Sequence, residues 1–115
     1  MKRISFIYRG KKISIDTEKL GLFGKAIGLM FKQWENARAL LFEYEKPVLM
    51  KIHSLFVFFP FVAIWLDKKN KIIQIKEVKP FTFSVSAKND FSKLVEIPIN
   101  KKYKEKIKAL GFPRR

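Results

Sequence analysis

The chain has 115 residues, 25 of them Lys or Arg against 10 Asp or Glu, giving a formal net charge of +15, and it has no cysteine. Hydrophobic residues make up 48% and aromatics 15%, which excludes a disordered chain because that much apolar surface offsets the entropy lost on folding. The missing cysteines exclude disulfides, thiolate metal sites and a cysteine nucleophile, and the charge favours anionic partners, phosphate polymers or membrane surfaces, without bearing on fold.

Ile4, Phe6 and Tyr8 alternate with Ser5 and Ile7, and after Arg9-Gly10-Lys11-Lys12 the residues Ile13 and Ile15 alternate with Ser14 and Asp16. This predicts a β-hairpin in which Gly10 supplies the positive φ of the turn. Only Ile4 to Tyr8 separate the first basic residues from the next charge, too short an apolar stretch for a secretory signal, so a cytoplasmic location is expected. Thr17 reads as an N-cap, with Leu20, Phe23, Ile27 and Met30 at helical spacing, predicting a first helix from Glu18 to Met30. Gly21, Gly24 and Gly28 weaken it in isolation, which suggests close packing or a bend.

Ala39 to Tyr44 form a short apolar run, Glu45-Lys46-Pro47 reads as a turn, and Val48 to Ile52 lead into HSLFVFFPFVAIWLD, His53 to Asp67. Leu55 to Leu66 carry no charge, and the indole of Trp65 is their sole hydrogen-bonding side chain. As a helix this run would span ~18 Å, short of the ~30 Å hydrocarbon core, so no transmembrane segment is expected. Pro60 predicts two core strands or a bulge; a monotopic hairpin with basic flanks is the membrane alternative.

Asp67 to Lys71 read as a turn and Ile72 to Val78 as the strand after it. Phe81, Phe83 and Val85 alternate with Thr82, Ser84 and Ser86, predicting a half-buried strand, and Leu94 to Ile99 predict another. From Asn100, an N-cap candidate, Tyr103, Ile107 and Leu110 share one face of a second helix that Gly111 and Pro113 end. With no repeat or linker, the chain reads as one domain over residues 1–115. The expected class is α+β, mainly β: a small antiparallel barrel-like sheet with two short helices.

Gly28-Leu29-Met30, Leu40-Leu41-Phe42, and Met50-Lys51-Ile52-His53-Ser54 running to Pro60 and Leu66-Asp67 stand in a fixed order, followed by Pro80 and Glu96-Ile97-Pro98. This ordered set resembles the DUF192 family, also called UPF0127, over roughly Leu20 to Ile107. The resemblance implies a small antiparallel β domain with one or two helices and no enzymatic activity to transfer. Two departures stand out. Pro60-Phe61-Val62 lacks the acidic residue that follows the family's proline, and Ile99-Asn100 replaces the small residue and Gly after its E-hydrophobic-P element.

One histidine leaves too few ligands for zinc, and no phosphate-binding glycine loop exists, so no metal or cofactor is expected. Glu43 and Glu45, the one local acidic pair, lie beside the predicted turn and read as solvated. Glu96, between Val95 and Ile97, faces opposite to them on a strand. It is either exposed or Lys-paired, or a buried carboxylate with a raised pKa. His53, Ser54 and Glu96 interrupt apolar strands and are the candidate ligand-binding residues of a non-enzymatic small-ligand or protein-binding domain. The alternative is a nucleic-acid or anion surface at Lys101, Lys102, Lys104, Lys106, Lys108, Arg114 and Arg115, where weak electrostatic binding is expected. Aromatics interleaved with basic residues at Lys32, Trp34 and Arg38, and from Lys79 to Lys88, fit that alternative.

Overall fold

The computed structural model describes residues 1–20, 29, 33–51, 57–82 and 84–112. The first hairpin forms as expected: β1 (Lys2–Tyr8) pairs antiparallel with β2 (Lys11–Lys19), placing Ile4 opposite Ile15 and Phe6 opposite Ile13. Arg9 and Gly10 both take positive φ, +50° and +79°, the two-residue turn whose twist matches that of the strands. Glu18 and Lys19 continue β2 instead of opening a helix, and Thr17 is a strand residue whose hydroxyl donates to the Lys2 carbonyl. The tertiary pairing of Glu18 and Lys19 with Leu40 and Leu41 overrides the local capping signal. The rest of the predicted first helix lies outside the described residues, except Leu20 and Leu29.

β3 (Leu40–Val48) runs straight through the predicted Glu45-Lys46-Pro47 turn. Its pairing is interrupted between Glu43 and Val48, and Pro47, which has no N–H to give to a ladder, falls in that unpaired stretch. Beyond Pro60 comes β4 (Phe61–Leu66), joined to β5 (Ile72–Val78) by a turn in which the Asp67 carboxylate accepts the Lys69 and Lys71 amides. The described residues of the predicted strand at Phe81 form no strand. Phe81 has φ +61°, Thr82 closes a turn onto the Lys79 carbonyl, and Val85 makes an isolated bridge; the turn set by Pro80 outcompetes the alternation.

β6 (Phe91–Pro98) completes one six-stranded sheet of order β1-β2-β3-β6-β4-β5. Every pairing is antiparallel except β2 with β3. The sheet curls into a half-barrel until its edge strands β1 and β5 touch. After a 3₁₀ turn at Lys101–Tyr103, the one α-helix among the described residues, α1 (Lys104–Ala109), caps the curl. A second 3₁₀ turn spans Trp34–Asn36. The architecture is therefore mainly β with one short α-helix described.

All six residues of β4 are buried because both faces of the sheet are covered there. Val62, Ile64 and Leu66 join Ile4, Phe6, Ile13, Ile15, Val95 and Ile97 inside the curl, beneath Tyr103, Ile107 and Leu110. Phe61, Ala63 and Trp65 pack on the opposite face with Leu40, Phe42, Phe59, Phe91 and Leu94. Most of the apolar run is thus protein core. No helix among the described residues is long and apolar enough to cross a membrane.

Tyr103 links α1's end of the molecule to the sheet: its hydroxyl accepts the Ala39 amide at 2.7 Å in a buried setting. Tyr103→Phe leaves that amide without its acceptor, and urea unfolding should show a loss of ~1–3 kcal/mol.

Candidate functional site

The exit of β6 ties three segments together. The Ile99 amide donates to the Pro60 carbonyl (3.0 Å), and the Ile99 carbonyl accepts the Trp34 indole N–H (2.6 Å). The Asn100 amide nitrogen donates to the carbonyls of Trp34 (2.8 Å) and Ala37 (3.1 Å). Asn100 stands where sequence predicts an N-cap, yet its side chain makes no cap hydrogen bond, because these two carbonyls hold it.

Around this exit lies a cavity of about 520 Å³ lined by Trp34, Pro60, Ile99, Asn100, Lys101, Lys104 and Ile107. Trp34 is 51% exposed although its N–H is satisfied. Because Asn100 spends its N–H donors on two carbonyls, its orientation is set, and its buried Oδ1 remains an acceptor without a partner among the described residues. Such an orphan is uncommon in a folded protein and calls for a donor such as an ordered water. The cavity therefore combines an indole, an aliphatic floor, two ammonium groups and one unmet acceptor.

A second cavity of about 440 Å³ opens on the other side of the C-terminal segment, where Arg3, Arg38, Lys102 and Lys106 meet Asp16 and Glu18. Arg3 and Asp16 pair there at 2.9 Å. The candidate basic residues are thus divided: Lys101 and Lys104 line the first cavity, Lys102 and Lys106 the second, and Lys108 is exposed and lines neither. Arg114 and Arg115 lie outside the described residues, as do His53 and Ser54. Glu43, read as solvated, is 19% exposed in its side chain and lies within 4.0 Å of Lys2, Lys19 and Lys93.

Glu96 is buried, 5% exposed, with Leu40 and Ala63 opposite it on the neighbouring strands. Among the described residues no basic side chain pairs with it and no hydrogen bond reaches its carboxyl. Burial pushes that carboxyl up from an ordinary value of 4.5 to about 8. On the same face, Trp65 holds a buried indole N–H without a partner among the described residues, and the Tyr44 hydroxyl is raised by burial and then by the Glu96 charge. Glu96 lines neither cavity. Among the described residues no three His, Asp or Glu side chains gather as a metal site.

The family model of DUF192, described as "Uncharacterized ACR", matches residues 21–109. The chain belongs to the DUF192 family. No curated protein matches it. Among solved structures, a protein of unknown function from Novosphingobium aromaticivorans is similar at 15% identity and TM-score 0.74, covering 95% of this chain and 77% of that one. A candidate transcription regulator from Sinorhizobium meliloti is similar at 15% identity and TM-score 0.73, covering 95% and 83%. At that identity the likeness shows the shared fold. Ile99 and Asn100, which follow the Glu96-Ile97-Pro98 element, line the first cavity, whereas Val62, two residues after Pro60, is buried in the core and does not. Sequence reasoning noted them but passed over Trp34 and Asn100 as a pair, since 66 residues separate them.

Glu96 makes stability fall as pH rises. Below 4.5 the carboxyl is protonated folded or unfolded. Between 4.5 and 8 the folded state retains a proton that the unfolded state releases, so unfolding is favoured progressively, by ~3 kcal/mol at pH 7. Above 8 the loss is complete. Chemical unfolding from pH 4 to 9 should show this decline, and Glu96→Gln should flatten it and be the more stable protein at pH 8.

Proposed function

We propose that this DUF192 chain is a non-enzymatic binding domain for a small molecule that joins an apolar, ring-sized body to an anionic group and an N–H or O–H donor. The observation that carries the reading is the orphan Asn100 Oδ1 at a cavity that also offers two lysines and an exposed indole. Each ligand feature answers one wall. The body packs on Trp34, Pro60 and Ile107, the anion meets Lys101 and Lys104, and the donor satisfies Asn100. Lys101 and Lys104 are the titratable residues among the described lining and no carboxylate faces them, so the wall lacks the acid and base partners that proton-transfer catalysis needs.

The probe for a first test is 1-anilinonaphthalene-8-sulfonate, which has a ring body, a sulfonate and an N–H. Directly excited dye fluorescence should rise on binding, and Trp34→Ala, which removes the exposed ring that packs against the dye, should weaken that binding. The double variant Lys101→Ala, Lys104→Ala should bind about tenfold more weakly, as two partly exposed ion pairs predict. Dye binding that is untouched by either change would remove this reading.

A further inference from the structure

A second feature lies at the same end of the sheet and outside the cavity wall. Val57 and Phe59 are buried, 2% and 1% exposed, which turns Phe58 between them outward at 58%. Phe81, 55% exposed, packs edge-on against it with ring centroids 5.5 Å apart. The topology brings the two together: Phe58 precedes β4, Phe81 follows β5, and those strands pair with Phe61 opposite Val78.

Phe81 adopts φ +61°, a left-handed conformation that disfavours bulky side chains and costs ~1–3 kcal/mol. Hydrophobic burial does not account for that cost, because the ring stays mostly in water. Backbone strain that ends in an exposed aromatic points outward to a partner surface.

We propose that the Phe58–Phe81 pair docks this end of the sheet onto an anionic lipid surface. Charge complementarity and the form of the pair select that occupant. The chain carries +15, and at this same end Lys101, Lys104 and the half-exposed Trp34 line the cavity beside Pro60, while Lys79 lies two residues before Phe81. Exposed Phe and Trp beside lysines are the makings of an interfacial anchor, with rings entering the acyl boundary and ammonium groups meeting phosphates. A single-stranded nucleic acid fits less well. The two rings stand at 69° against each other and offer no parallel slot for a base, whereas stacking requires an open ring face. The lipid surface shares Lys101, Lys104 and Trp34 with the small-ligand cavity, but Phe58 and Phe81 do not line that cavity, so substitutions at the two Phe residues separate the two readings.

The test is sedimentation of the full chain with vesicles of phosphatidylcholine alone and of phosphatidylcholine with about one third phosphatidylglycerol, at low and at physiological salt. Binding to the anionic vesicles is expected, with about tenfold loss in the double variant Phe58→Ser, Phe81→Ser and an unchanged circular dichroism spectrum. If that variant fails to fold, Phe58→Ser alone carries the test, since Phe58 lies outside the strands. No binding at low salt would overturn the proposal. So would binding that the Phe substitutions leave unchanged, which is charge attraction alone, or self-association abolished by those substitutions without vesicle binding, which assigns the pair to a second copy of the chain.

Discussion

The structure depends on β6 being paired along both edges and covered on both faces. It lies between β3 and β4, and its residues feed two cores in turn, Val95 and Ile97 into the curl and Leu94 and Phe91 into the opposite layer. A strand so placed has no solvent-facing side to spare. That constraint buries Glu96, which on an edge strand would face water. It also makes the C-terminal exit of β6 a fixed point, because any residue leaving Pro98 starts from a position held by two neighbouring strands.

The candidate site is built on that fixed point. Ile99 and Asn100 gather the Pro60 approach to β4 and the 3₁₀ turn at Trp34 through main-chain carbonyls, so the cavity wall is organised by backbone geometry more than by side-chain packing. Side chains then differentiate it: aliphatic and indole surface from Pro60, Ile99, Ile107 and Trp34, ammonium groups from the 3₁₀ turn and α1, and the amide of Asn100. Shared fold with the two bacterial structures leaves the ligand open, since sites vary on a common scaffold.

Local pattern made much of the fold legible. The hairpin of β1 and β2, the Asp67 turn and the apolar face of α1 all follow from spacing within a few residues. What misled were strong local signals opposed by longer-range ones: the Thr17 cap lost to pairing with β3, and the Glu45-Lys46-Pro47 turn was absorbed as an irregularity in a strand whose ends are paired. The alternation from Phe81 to Val85 broke on one left-handed residue. For the site, the strand position of Glu96 leaves two readings, exposed or Lys-paired against buried with a raised pKa, and the tertiary pairing of β6 buries it. The lysines of the tail were legible as a group, but not their division between two cavities by the 3₁₀ turn and α1. Trp34 with Asn100 was not readable, because nothing in a single sequence announces an indole and an amide joined across 66 residues.

The exit of β6 holds Trp34 at the cavity, and the indole N–H resonances of Trp34 and Trp65 report on that hold. In Asn100→Ala the Trp34 signal should shift and exchange faster with solvent, while the Trp65 signal, deep on the other face of the sheet, should stay in place and report an intact core. A Trp34 signal that kept its position and exchange rate in the variant would show that Asn100 does not hold Trp34 there.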